Sequence, residues 1–361
     1  MEQWYSKKMF TIGIAICLAL LFEFSTVQGA DVSWSGFISV GGGLTLDDNE
    51  SFLADPSVGS AMYRDDISFK PDTILGLQVE TEFRKGLKAT GQLVGKGGDD
   101  FNVEFEWAYL AYQATDELTL NAGRKRIPLF LYSEFLDLGY AYHWIRPPYE
   151  VYQIPQSSYN GLSCQYANMF GELSTEAQLF FGREEAEDPL LSTVIGETSL
   201  IDTKNLVGGN LVLSQNWLDT RFVVVNTIAD LYGEVSGLLI EDVDLTYYGI
   251  SLGLDFENVF LMGESSYIDV EKGFNTMFSW YVTGGLRLGK FTPHITYGNM
   301  EEDDDNLPVK VIQNTTTVGI RYDFHPEAAI KLEYAKRNDE SEGTVYLGDS
   351  DLISFAIDFA F

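Results

Sequence analysis

Apolar and polar side chains alternate one by one in segment after segment of this chain. Successive side chains leave a β-strand on opposite faces, so a two-residue period is the mark of a strand with one apolar face. In Ser279 to Gly289, Trp280, Val282, Leu286 and Leu288 point one way, and Tyr281, Thr283 and Arg287 point the other. In Thr315 to Phe324 the two sets are Val318, Ile320, Tyr322 and Phe324 against Thr315, Thr317 and Arg321. The same alternation places strands at about 32 to 46, 67 to 84, 87 to 96, 101 to 115, 117 to 127, 157 to 168, 171 to 183, 204 to 215, 217 to 230, 244 to 256, 259 to 270, 276 to 289, 291 to 300, 312 to 324, 328 to 338 and 351 to 361. The count is even, as closure of an antiparallel barrel with both termini on one side requires.

The connections sort by parity. Arg84-Lys-Gly86, Thr115-Asp-Glu117, Asn168-Met-Phe-Gly171, Gln215-Asn216, Glu257-Asn258, Gly289-Lys290 and His325-Pro-Glu327 are tight turns after even-numbered strands. After odd-numbered strands come longer segments, notably 47 to 66, 128 to 156, 184 to 203, 231 to 243, 301 to 311 and 339 to 350. Short turns on one side and long loops on the other are the habit of a transmembrane barrel, and a soluble sandwich has no reason to adopt it. Hydrophobic residues make up 45% of the chain, but no run of about 18 apolar residues follows the N-terminus, which leaves strands as the only means of crossing a bilayer. The predicted fold is all-β: a transmembrane antiparallel β-barrel of about 16 strands.

Lys7 and Lys8 precede the apolar stretch Met9 to Phe22, and Thr26-Val-Gln-Gly-Ala30 offers small residues for cleavage. Residues 1–29 therefore read as a secretory signal peptide and 30–361 as one barrel domain. Cys17 falls in the leader, which leaves Cys164 alone in the mature chain with no intramolecular disulfide.

The formal net charge is −31 and makes nucleic acid an unsuitable partner. The acid concentrates in the long connections: Asp47, Asp48 and Glu50; Glu184, Glu185, Glu187 and Asp188; Glu301 to Asp305; Asp339, Glu340 and Glu342. Such a rim either draws small cations and divalent ions near lipopolysaccharide or is simply a solvated acidic surface, and its spacings match no calcium loop. No catalytic or cofactor motif survives its context. Gly249-Ile-Ser-Leu-Gly253 lies mid-strand rather than at a strand-to-helix elbow, and His143, His294 and His325 lack metal spacing. Gly41-Gly-Gly43 has no helix after it to cradle a phosphate.

The last strand alternates Ile353, Phe355, Ile357, Phe359 and Phe361 with Ser354, Ala356, Asp358 and Ala360, and stops on an aromatic residue. It resembles the C-terminal signal through which outer-membrane barrels meet their assembly machinery. The segment Gly123-Arg-Lys-Arg-Ile-Pro-Leu-Phe130, continued to Tyr140-Ala-Tyr-His-Trp-Ile-Arg-Pro-Pro-Tyr-Glu-Val-Tyr152, resembles the strand-five and third-loop region of porins from marine and related gammaproteobacteria. With the leader and the terminal strand, the resemblance to the Gram-negative porin family spans essentially the whole chain. It implies a homotrimer of general-diffusion barrels in outer-membrane lipid and lipopolysaccharide, each with its third loop folded inward to narrow the pore. The loop's own residues suit burial: it is the longest connection and rich in Phe, Tyr and Trp. An external aromatic loop packed on its neighbours is the other reading of the same residues.

Alternation assigns Glu80, Glu82, Arg84, Lys88, Lys96, Glu104, Glu106, Glu172, Glu176, Glu264, Arg287, His294, Arg321, Lys331 and Glu333 to the lumen. The family resemblance implies acidic loop residues, here Glu134 and Asp137, facing a basic wall, here Arg124, Lys125 and Arg126 at the loop's base. Continuing the alternation of Leu118, Leu120 and Ala122 aims Arg124 and Arg126 at lipid, which is costly. Either the strand has reached the interface there, or a bulge flips its register, or that face packs in the trimer. The expected function is passive diffusion of small hydrophilic solutes and ions, cation-preferring, with no cofactor. The rivals are a substrate-specific channel and a non-pore barrel, either a lipid-modifying enzyme or a structural or adhesive protein.

Overall fold

The computed structural model describes residues 31–48, 50–55, 58, 61–154, 157–187, 192, 196–271, 276–303, 310–341 and 348–361. The leader, and with it the expected cleavage site, lies outside the described residues. So do Asp188, Asp304, Asp305 and Glu342 of the acidic connections.

Sixteen strands close into one antiparallel barrel. They are β1 (Asp31–Thr45), β4 (Ile74–Arg84), β5 (Leu87–Lys96), β6 (Asn102–Gln113), β7 (Leu118–Arg126), β8 (Ser158–Phe170), β9 (Leu173–Glu187) and β10 (Ser199–Gln215), followed by β11 (Leu218–Gly233), β12 (Gly237–Phe256), β13 (Val259–Val270), β14 (Thr276–Leu286), β15 (Phe291–Asp303), β16 (Lys310–His325), β17 (Ala328–Asp339) and β18 (Ser350–Ala360). A separate small hairpin, β2 (Phe52–Leu53) with β3 (Met62–Tyr63), sits in the first long connection. The sheet closes where β1 pairs with β18, Phe37 opposite Ala360 and Thr45 opposite Leu352. Its other edge pairs with β4, Asp31 opposite Glu82. Closure leaves no strand edge, the condition for placing backbone amides in a bilayer.

The side chains divide as the alternation requires. Val282, Leu286, Val318, Ile320 and Phe324 are exposed on the outer face, while Tyr281, Thr283 and Thr315 are buried on the inner one. A ring of exposed Leu, Val, Ile, Phe and Tyr continues round the barrel, and the inner set is mostly Ser, Thr, Gln and charged residues. The tight turns lie at the end that carries Asp31 and Phe361, and several need left-handed backbone: Gly86, Gly171, Asn216, Glu257 and Gly289 all have positive φ.

Strand ends depart from the sequence reading in two directions. Residues 231–243, expected as a loop, continue the β11–β12 hairpin to a turn at 234–236. The pairing there shifts register twice, between Ala229 and Tyr232, and a bulge scrambles the two-residue period by which a strand is read. Residues 67–73, expected as strand, are not part of β4. Pro71 lacks a donor for the ladder, and Thr73 N–H turns back to the Lys70 carbonyl at 3.2 Å. Membrane strands need about 9–11 residues. β10, of 17 residues, and β12, of 20, are therefore longer than a crossing requires.

The packed core of the molecule is inside the barrel. The connection from β7 to β8 runs from Ile127 to Ser157 and contains turns at Ser133–Phe135 and Gly139–Ala141 and one helical turn, α1 (Tyr149–Tyr152). Phe130, Tyr142, Trp144, Val151 and Tyr152 from this loop form one buried cluster with wall residues Val223, Tyr247 and Tyr281.

Candidate channel lining

The loop is fastened to the inner wall strand by strand. Arg221 on β11 donates to the Phe130 carbonyl at 2.8 Å. Glu264 on β13 accepts the Leu131 N–H at 2.7 Å, the Tyr281 hydroxyl at 2.7 Å and the Tyr152 hydroxyl. Trp144 Nε1 donates to Thr296 Oγ1 on β15 at 2.8 Å, and Ile145 N–H to Glu333 on β17 at 2.7 Å. Arg321 on β16 donates to the carbonyls of Tyr140 and Tyr142, both at 2.7 Å. Lys331 on β17 reaches the carbonyls of Gly139 and Trp144 at 2.6 and 2.5 Å and Asp358 on β18 at 2.8 Å. Arg146 grips Asp72 at 2.6 and 3.1 Å. Wall polar groups thus satisfy loop backbone that burial would otherwise leave unpaired, the costly alternative.

This arrangement covers the inner face from β11 round to β18 and leaves the arc from β4 to β6 more open, although Asp137 of the loop reaches Lys96 on β5. Along that arc Gln78, Glu80, Gln92 and Tyr109 are only half-buried, and Lys88 and Glu104 are exposed. Glu80 pairs with Lys88 at 2.8 Å, and Gln92 donates to Gln78 at 3.0 Å. Glu134 and Phe135 are exposed at the loop's first turn, and on the wall the Lys125 ammonium lies 4.8 Å from the centre of the Tyr109 ring. Polar walls on one side and a charged loop tip on the other give this passage a wetted lining.

The residues singled out from sequence separate into four groups. Asp137, Arg126 and Glu106 meet directly: Arg126 contacts Asp137 and lies 2.8 Å from Glu106, while Lys96 approaches Asp137 at 3.5 Å. Burial opposes ionisation of Asp137, but the charges of Arg126 and then Lys96 outweigh it and bring its carboxyl down to about 2. Loop acid and wall base therefore touch rather than face each other across a gap, and Glu134 is the loop's exposed acid. Glu80, Lys88 and Glu104 line the open arc. Arg321 and Lys331 hold the loop. Glu82, Arg84 and Arg287 belong to the short-turn end: Glu82 accepts the Gly86 N–H at 3.1 Å, Arg84 is exposed, and Arg287 pairs with Asp255 at 2.6 Å.

Arg124 and Arg126 part company because the wall beside them is irregular. Gln92 pairs with Trp107 and Leu93 with Phe105, so Glu106 is the extra residue of a bulge. Across from β6, Gly123 adopts φ +134°, open to glycine alone at little cost. Beyond it Arg126 is buried against Glu106, whereas Arg124 is satisfied by the Phe105 carbonyl and Glu184, each at 2.7 Å. The bulge lies in β6 and brings Glu106 to the Arg126 guanidinium, while β7 itself keeps its register with β8 as far as Arg126.

Arg221, Thr296, Asp72 and Arg146 are anchoring residues that escaped the sequence reading. An arginine set among aromatic residues demands a buried acid partner. The partner of Arg146 lies 74 residues away in another connection, and nothing local marks it.

An apolar outer band around a polar, loop-lined interior defines a membrane-spanning β-barrel, and the chain has the porin fold. Among solved structures it is similar to the outer-membrane channel DcaP of Acinetobacter baumannii, with 14% identity, a TM-score of 0.62 and coverage of 93% of this chain and 99% of that one. Outer-membrane expressed OmpT of Vibrio cholerae matches with 9% identity, a TM-score of 0.60 and coverage of 93% and 99%. An anion-selective porin from Comamonas acidovorans matches with 13% identity, a TM-score of 0.57 and coverage of 92% and 100%. No protein-family profile and no curated protein matches the chain.

Proposed function

We propose that this protein is an outer-membrane channel through which small hydrophilic solutes and ions diffuse passively, without catalysis or a bound cofactor. The observation that carries the reading is the open polar arc of β4 to β6 opposite the exposed tip of the loop, inside a wall whose outer face is apolar. A pore selects by width and by the charges at its narrowest level. The charges open to the passage are Glu134 on the loop, with Glu80, Lys88, Glu104 and Lys125 on the wall. A net charge of −31 favours cations over anions. Residues 1–29 act as the cleaved export signal in this reading, the strand ending at Phe361 engages the assembly machinery, and three barrels associate. A trimer form of Vibrio cholerae OmpT supports that last point by likeness of fold.

The test is single-channel recording of the refolded mature protein in planar bilayers. Discrete, stable conductance steps are expected, with reversal potentials in a salt gradient displaced toward the cation. Silence after insertion verified by protease protection overturns the channel reading, and anion preference overturns the selectivity.

A further inference from the structure

Beneath the loop, toward the short-turn ends of β10 to β16, the barrel holds a cavity of about 530 Å³. Tyr132 and Phe135 form part of its roof, and Phe260 and Met262 part of its wall. Tyr132 is pinned by its hydroxyl to the Met262 sulfur at 3.7 Å, while Phe135 is half-exposed. Four charges in the lining cancel in pairs. Arg287 makes two bonds to Asp255, at 2.6 and 2.7 Å, and Arg321 lies 2.8 Å from Asp323. Asp219 also lines the cavity, its carboxylate exposed and without an ion pair or hydrogen bond among the described residues.

We infer that this vestibule binds an organic cation that carries an aromatic or compact apolar body. Volumes of about 300–1,000 Å³ with apolar walls and a few polar groups are typical of small-molecule sites. Aromatic faces attract cations, and an unmatched carboxylate supplies the counter-charge. Neither guanidinium is available to an organic anion without first breaking its own carboxylate pair, so the same lining disfavours anions. The ammonium sits on Asp219, and the body packs against Tyr132, Phe135 and Phe260. The inference extends the channel reading by giving the passage a solute class that it retains rather than merely admits. The site itself does not require that the barrel conduct.

The experiment pairs binding with block. Benzyltrimethylammonium is titrated into the refolded full mature chain in detergent and followed by ligand-observed NMR, with phenylacetate as the anionic counterpart. In bilayers the same cation is added to each side in turn. Binding of the cation well ahead of phenylacetate is expected, with stronger block from the short-turn side. Asp219→Asn should weaken binding about two- to fivefold, the worth of one exposed charge contact. Phe135→Leu should weaken it severalfold, and Asp116→Asn, in a distant exposed turn, should leave it unchanged. Binding that survives Asp219→Asn undiminished, or equal binding of phenylacetate, overturns the site. Cation binding without any conductance upholds the site and removes the channel reading, and conductance without cation binding does the reverse.

Discussion

Lys331 shows how single residues hold this barrel's interior. Its ammonium is fully buried, with one carboxylate and two loop carbonyls as partners. Breaking a buried pair by removing one member strands the other charge, at about 3–5 kcal/mol. Lys331→Met should lower stability to urea in detergent by that order, and adding Asp358→Asn should recover part of the loss. Glu150 has the opposite character. It is buried on α1 with one carboxylate oxygen unpartnered, and burial pushes its carboxyl up. A raised folded value means that its support of the loop is complete below the ordinary carboxylate range and is lost as pH rises through the raised value. Glu150→Gln should therefore raise the thermal midpoint, with the gain growing from pH 4 toward pH 8 in a scanning series. A gain that shrinks with pH would contradict this assignment.

Among elements, β7 shows what alternation alone leaves undecided. Gly123 sits where any Cβ would lie 2.3 Å from the Ala108 carbonyl oxygen, and its φ of +134° is strained for every other residue. Gly123→Val should cost at least about 1–3 kcal/mol through backbone strain alone. It should reduce the fraction of chains that run as the compact folded band on unheated gels. The third loop is partly legible: eight aromatic residues in a connection too long for a turn point to burial, and Phe130, Tyr142, Trp144, Tyr149 and Tyr152 are indeed buried. Tyr132 and Tyr140 are half-buried, and Phe135 is left exposed at the cavity roof. The wall partners were not legible, because each lies on a strand distant in sequence and is chosen by where the loop crosses the lumen.

At the scale of the whole molecule, the loop's position decides which lumen charges meet water. Lys331, Glu333 and Asp358 are polar and inward-facing but sealed beneath the loop, whereas Glu80 and Lys88 remain on the open arc. Glu80→Lys should move the reversal potential toward anions and change conductance while leaving the folded fraction near that of the parent chain. An unchanged reversal potential would place the passage elsewhere in the barrel.

The sequence by itself determined the strand count, the closure, the sorting of short and long connections, and the division of side chains between lipid and interior. Those features follow from a two-residue period and from the need to pair every backbone amide inside a bilayer, both of which are local or nearly so. Only the tertiary structure decided that Arg126 meets Glu106 and Asp137, and that Arg146 reaches Asp72. It also decided that Glu264, Arg321, Lys331 and Glu333 fasten the loop instead of lining water. Those outcomes depend on which distant groups closure brings within a few ångströms, and alternation carries no information about distance across the lumen.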